Sequence, residues 1–439
     1  MQKHSGLKTS LIITIDSMLG AIDWILPVCK YLHDRYDDVD IYFVLLRYDA
    51  EQIFKNNVTL KQIVYELSNN RCYDLRYFIP VGYRLIRWLL GTVSFFSGNI
   101  SGKAMAVFDK AIWNFYGKER VKRWVDILKP TVILRDGLGK PSQVCEVFIK
   151  AGRNHESKVV SFPTAPSFTF APDMWIQEKN NVIADNKYFA DYAIVDKDWD
   201  AKYCNKYFKE TITVGTPKFD ERWIAYLQNR YAEGELKRDE QSNSILVLLK
   251  NEMSFIFKHI DFRGLLEEML DTLLTVSDYR LILKPHPRQN SALLSEILKK
   301  YPQGEICISY EPSFKIISEA SYVVAMPSGI ILDALMVGRP VIEYFNFKKL
   351  NAILLELYRT IPKNIFGGMS YLDADGYLTS VFRAKGLVIP ADTPNELALA
   401  LSKLKIDEAR TGIVKAREIF FEGKIEKAAE FVMNLLHRN

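Results

Sequence analysis

The chain has 439 residues, 48% of them hydrophobic and 25% charged, a composition that excludes a disordered polar chain and suits a folded protein of two domains. The formal charge of +5 fits anionic substrates or a membrane surface and is too small an excess to argue for nucleic acid. Five scattered cysteines, Cys29, Cys72, Cys145, Cys204 and Cys307, contain no CxxC pair, which argues against a disulfide framework or zinc site and suits a reducing cytoplasm.

The chain opens MQKHSGLKTSLIITIDS, where Asp16 interrupts the apolar run after five residues, so Leu11 to Ile15 is expected as a β-strand rather than part of a signal peptide. A helical stretch from Leu19 to Arg35 and a strand at Ile41 to Leu46 follow, giving β-α-β. Tyr77 to Phe96, rich in aromatic and aliphatic residues but punctuated by Arg84 and Arg87, belongs to an apolar helical insert near 77–120. Its bland reading is a buried helical subdomain; its functional reading is a helix lying in a lipid interface. Strands at Val132 to Leu134, Val159 to Phe162, Tyr192 to Val195 and Thr211 to Val214 then predict a parallel, doubly wound sheet.

From Glu233 to Ser244 the chain reads EGELKRDEQSNS, as a linker would, and the β/α pattern restarts at Ile245 to Asn251, Arg280 to Pro287, Glu305 to Tyr310, Ser321 to Ala325 and Val341 to Tyr344. The expected division is an acceptor-binding domain over 1–242, a donor-binding domain over 243–415 and a terminal helix over 416–439 packed at the domain junction. Two Rossmann-like domains of this kind are expected to face a cleft at the carboxyl ends of their sheets.

Candidate site residues fall at those strand ends. Met326-Pro327-Ser328-Gly329 breaks a buried strand and opens a helix at Ile330, a terminus suited to a phosphate. The plainer reading is an ordinary βαβ unit with Ser328 as an N-cap. Asp333, one turn further on, reaches a nucleotide ribose or merely favours the helix dipole. Lys284-Pro285-His286-Pro287-Arg288 closes a strand with a rigidly held imidazole between two cations, able to hydrogen-bond a leaving phosphate, against the alternative of a turn histidine capping a carbonyl. Arg135-Asp136-Gly137 ends a first-domain strand, with Asp136 either a general base or an Asx-turn residue. Thr164 and Ser167 are candidate acceptor contacts, Lys218 an anion contact, and Asn251 a donor contact just past the first strand of the second domain. The only acidic run before a strand, Asp37-Asp38-Val39-Asp40, reads as a turn, so no metal site is expected.

In this order the motifs resemble the two-domain GT-B transferases that build bacterial surface polysaccharides from cytidine-nucleotide donors. KPHP at Lys284 to Pro287 is similar to the His-Pro motif of bacterial sialyltransferases and Kdo transferases, PSG at Pro327 to Gly329 to their serine motif, and RDGLG at Arg135 to Gly139 to their acidic motif, although Arg135 stands where that motif has a first acid. VGTPKFDERW also resembles glycerophosphotransferases that use CDP-glycerol, but Pro163-Thr164 replaces their His-Gly pair. The resemblance implies metal-independent transfer of a CMP-linked sugar, with no cofactor, to a glycan or lipid-linked acceptor of capsule or lipopolysaccharide. His286, Ser328, Gly329 and Lys284 would hold the departing phosphate, with Arg288 and Pro327 beside them, and Asp136 would take the acceptor proton. The expected location is cytoplasmic, with peripheral contact to the membrane through the apolar insert. A UDP-GlcNAc 2-epimerase-like enzyme and a non-catalytic assembly partner are the alternatives from other classes.

Overall fold

The computed structural model describes residues 9–16, 22–46, 54, 57–80, 82–83, 110–163, 189–232, 244–276, 279–359, 370–373, 375–403, 410–420 and 424–437. Among these, residues within 9–163, 189–220 and 424–437 form one compact unit and those within 221–420 a second.

The first unit runs β1 (Thr9–Ile15), α1 (Ile22–Arg35), β2 (Val39–Leu45), β3 (Cys72–Asp74), α2 (Lys118–Leu128), β4 (Val132–Asp136), α3 (Gln143–Arg153), β5 (Lys158–Phe162), β6 (Tyr192–Val195) and β7 (Glu210–Thr213). Its strands are all parallel, in the order β3-β2-β1-β4-β5-β6-β7. Leu11, Ile12 and Ile13 are wholly buried, which is why β1 reads as a continuous apolar run. Chain order reverses between β1 and β4, opening a crevice at their carboxyl ends. α1 buries Trp24, Ile25, Val28 and Leu32 and packs on the helix Ile425–Leu436, which returns to this unit from the far end of the chain.

The second unit contains β8 (Ser244–Leu248), β9 (Arg280–Lys284), β10 (Ile306–Ile308), β11 (Tyr322–Ala325), α4 (Ile330–Met336), β12 (Val341–Tyr344), an antiparallel pair β13 (Ser370–Leu372) and β14 (Leu378–Ser380), and β15 (Ile389–Ala391). Its parallel sheet has the order β10-β9-β8-β11-β12-β15, with the reversal between β8 and β11. The helix Phe262–Val276 buries Leu266, Met269, Leu270 and Leu273 in the same core as Ile245, Val247, Leu281 and Leu283.

The expected doubly wound α/β architecture is present in both units. β3, β15 and the β13–β14 pair are additions to the expected strands; at three residues each they are too short to show alternation. The helix Glu221–Ala232 belongs with the second unit, so the change of unit lies at Asp220/Glu221, whereas the composition change expected at 242/243 falls in 233–243, outside the described residues. Most of the apolar insert, including Arg84 and Arg87, also lies outside them. Among the described residues, no helix is long and apolar enough to cross a membrane.

One buried ionic network ties the end of the second sheet together. Glu343 on β12 is fully buried and accepts from Ser380 Oγ at 2.6 Å and Arg383 Nε at 2.8 Å. Arg383 also donates to Asp392 Oδ1 at 2.5 Å and to the carbonyls of Glu343, Phe345 and Ala391, with its guanidinium over the Phe347 ring. Removing one member strands a buried charge and several carbonyls, at a cost of about 3–5 kcal/mol. Urea unfolding of Arg383→Ala should show a loss of that size; a loss below about 1 kcal/mol would contradict this role for the network.

Candidate functional site

In the first unit, the crevice between β1 and β4 is flanked by two carboxylates. Asp16 follows β1 and Asp136 ends β4; the Asp16 amide donates to Asp136 Oδ1 at 2.7 Å. Asp16 Oδ2 accepts in turn from the Ser142 amide at 2.7 Å, at the residue that caps α3. Asp136 is only 3% exposed. Gly137 allows this corner: its φ of +85° lies in the left-handed region, and its amide reaches the Phe162 carbonyl at 2.6 Å. Arg135 is turned into the protein and donates to the Gly139 carbonyl at 2.7 Å, securing the loop after β4. The residue that departs from the acidic motif thus has a structural task.

In the second unit, register places the candidate residues side by side. Leu248 on β8 is level with Lys284 on β9 and with Ala325 on β11. Two residues further along each strand stand Lys250, His286 and Pro327, at the carboxyl edge where the sheet reverses. Lys250 Nζ donates to the Pro327 carbonyl at 2.5 Å, and burial brings its pKa down to about 8 despite the opposing charge of Glu343. Ser328 is 8% exposed, and its Oγ has no hydrogen-bond partner. Gly329, not Ser328, is the N-cap of α4, so the capping explanation of Ser328 does not hold. A buried hydroxyl without a partner carries a desolvation cost that a ligand oxygen would remove.

His286 Nδ1 accepts from the Arg288 amide at 3.1 Å. Burial, followed by the charges of Arg288 and Lys250, holds its pKa below the usual imidazole value, with Glu252 opposing. At neutral pH the ring is therefore uncharged, with its proton on Nε2, and it acts as a hydrogen-bond donor. Glu252 fixes this loop by accepting from Gln289 Nε2 at 2.5 Å and the Asn290 amide at 3.0 Å.

Lys284 does not join this group: its ammonium is bonded to the Glu311 carbonyl, and burial brings its pKa down to about 8. Asn251 Oδ1 accepts from the Met253 amide at 3.0 Å and serves its own turn. Asp333 is half-buried in the first turn of α4. Arg288 is exposed, and Lys218 lies over the Phe219 ring in the first unit. Thr164 and Ser167 lie outside the described residues. Sequence reasoning passed over Asp16, Lys250, Glu252 and Glu343. Asp16, Lys250 and Glu343 had a signal, a lone charge ending or interrupting a buried apolar run.

Because the Ser328 hydroxyl is unpaired, Ser328→Ala should leave stability within about 0.5 kcal/mol of the parent or raise it. Loss of more than about 1 kcal/mol in urea unfolding would mean that the hydroxyl is already bonded within the protein.

No family model matches the chain, and no curated protein matches it. Solved structures do. The S. aureus MnaA–UDP structure has 11% identity and a TM-score of 0.54, covering 98% of this chain and 97% of that one. UDP-GlcNAc 2-epimerase from Neisseria meningitidis bound to UDP-GlcNAc has 12% identity and a TM-score of 0.53, covering 98% and 100%. The glycotransferase of kitacinnamycin has 14% identity and a TM-score of 0.52, covering 98% of each chain. At these identities the likeness is one of architecture: the chain has the GT-B fold, two parallel-sheet α/β units built in tandem.

Proposed function

We propose that the chain is a nucleotide-sugar glycosyltransferase, with the nucleotide held by the second unit and the acceptor by the first. The observation that carries this reading is the convergence of Lys250, the Nε2–H of neutral His286 and the unpaired buried hydroxyl of Ser328 at the β8–β11 reversal. A cation and two neutral donors at one strand edge suit the oxygens of a departing nucleoside diphosphate. In transfer, the bond from the sugar anomeric carbon to the phosphate oxygen breaks, and one to the acceptor oxygen forms. The leaving charge is met by Lys250, His286 and Ser328, and the acceptor proton passes to Asp136. Motif resemblance supports a glycan or lipid-linked acceptor of surface-polysaccharide assembly. The CMP-linked donor has no support among the structures compared; the likeness to MnaA with UDP and to an epimerase with UDP-GlcNAc favours a uridine diphosphate leaving group.

Epimerisation at the sugar C2 is the second reading, favoured by two acidic residues at one crevice, Asp136 and the Asp16 whose amide it accepts from, since that chemistry needs acids and bases around the ring and no acceptor. The discriminating experiment is proton NMR of UDP-GlcNAc with the purified chain and no acceptor. Appearance of the C2 epimer establishes epimerisation and overturns transfer; an unchanged sugar together with a raised unfolding midpoint in UDP supports transfer.

His286→Ala should lower turnover by about 10²–10³-fold with the fold intact, as loss of one preorganised donor does; an unchanged rate would remove His286 from the mechanism. UDP affinity should weaken as pH rises through about 8, where Lys250 loses its charge in the free protein. Calorimetry on Lys250→Gln should find weaker binding at neutral pH and a flatter profile above it; parent-like affinity in the variant would refute this contact.

A further inference from the structure

We infer that a groove on the helical face of the first unit, between α3 and the helical segment leading into α2, binds a phosphate-bearing anion. The groove encloses about 560 Å³, enough for a small phosphorylated group, and lies against residues that have no part in the reaction proposed above. Lys110, Lys118 and Lys122 line one side, Lys150 the other, and the amides of Asn114 and Gln143 add donors. Lys122 pairs with Glu119 at 2.6 Å and Lys150 with Glu146 at 3.2 Å. Among the described residues Lys110 and Lys118 have no carboxylate partner, so the groove keeps an excess of positive charge.

Backbone geometry explains how four-residue spacing yields one cationic side. In an α-helix each such step overshoots a full turn by about 40°, which would carry Lys122 far round the helix from Lys110. Trp113–Gly117 forms a wide π-helical turn, whose extra residue offsets that drift. The turn is packed rather than loose: Trp113 is 5% exposed, and a Cβ on residue 117 would come within 2.3 Å of its ring. On the same turn Phe115 is 76% and Tyr116 54% exposed, placing aromatic rings on the segment that carries the lysines. Compact ammonium groups and neutral amides recognise phosphate oxygens, and exposed rings suit the level of lipid headgroups. The phosphate is therefore that of a lipid headgroup or of a soluble phosphorylated molecule.

The test is acetylation footprinting of the full chain by mass spectrometry, reading each lysine separately, with inorganic pyrophosphate, with phosphatidylglycerol vesicles and with phosphatidylcholine vesicles. Lys209, exposed beside β7, is the internal control. Slowing of Lys110 and Lys118 several-fold relative to Lys209 by pyrophosphate identifies a soluble anion; slowing by phosphatidylglycerol alone identifies a headgroup. Either supports the site. Protection by neither, or equal protection by phosphatidylcholine, overturns it. Each lysine is read separately, so pyrophosphate bound at the proposed reaction site is read at Lys250 itself and the two readings fail independently.

Discussion

The parallel register of β8 with its two neighbours is the constraint on which the candidate site rests. Because Leu248 is level with both Lys284 and Ala325, the residues two places beyond emerge together, and a slip of one residue in either pairing would turn one of them to the opposite face. The register is in turn held by burial on both sides of the sheet. Ile245, Leu246 and Val247 are fully buried, and a slip would carry one end of this apolar run past the covered rows. The chemistry is carried by loops whose starting points are set by the core beneath them.

Charge inside the second unit is arranged around the same strands. Glu343 stands level with Ala325, in the row just below the site residues, and is fully buried with Arg383 as its main partner. Its field opposes the effect of burial on Lys250, and burial outweighs it. Lys250 is thereby left as a weakly held cation, which responds to an incoming anion more strongly than a lysine already committed to a carboxylate.

Much of the architecture was legible in the amino-acid order, since parallel strands covered on both faces read as unbroken apolar runs and the turns between them carry Gly, Pro and small polar residues. The KPHP and MPSG corners showed where such runs stop. What could not be read was direction. Lys284 and His286 are two residues apart, yet one is bonded to Glu311 and the other lies within the field of Lys250, a difference set by contacts distant in the chain. Ser328 resembled a helix cap in sequence, and only the position of the first helical turn shows Gly329 in that role. Asp16 appeared as an interruption of an apolar run, and its bond to Ser142 joins residues 126 apart.

The return of Ile425–Leu436 to the first unit also bears on the order in which the chain becomes structured. α1 is synthesised well before the helix Ile425–Leu436 on which it packs, with the whole of the second unit lying between them in the chain. Residues 221–420 are contiguous and can close as soon as they are made, whereas the earlier unit keeps apolar surface on α1 uncovered until the later one is complete. During synthesis the amino-terminal unit is therefore the one left open to chaperones, proteases and misassociation.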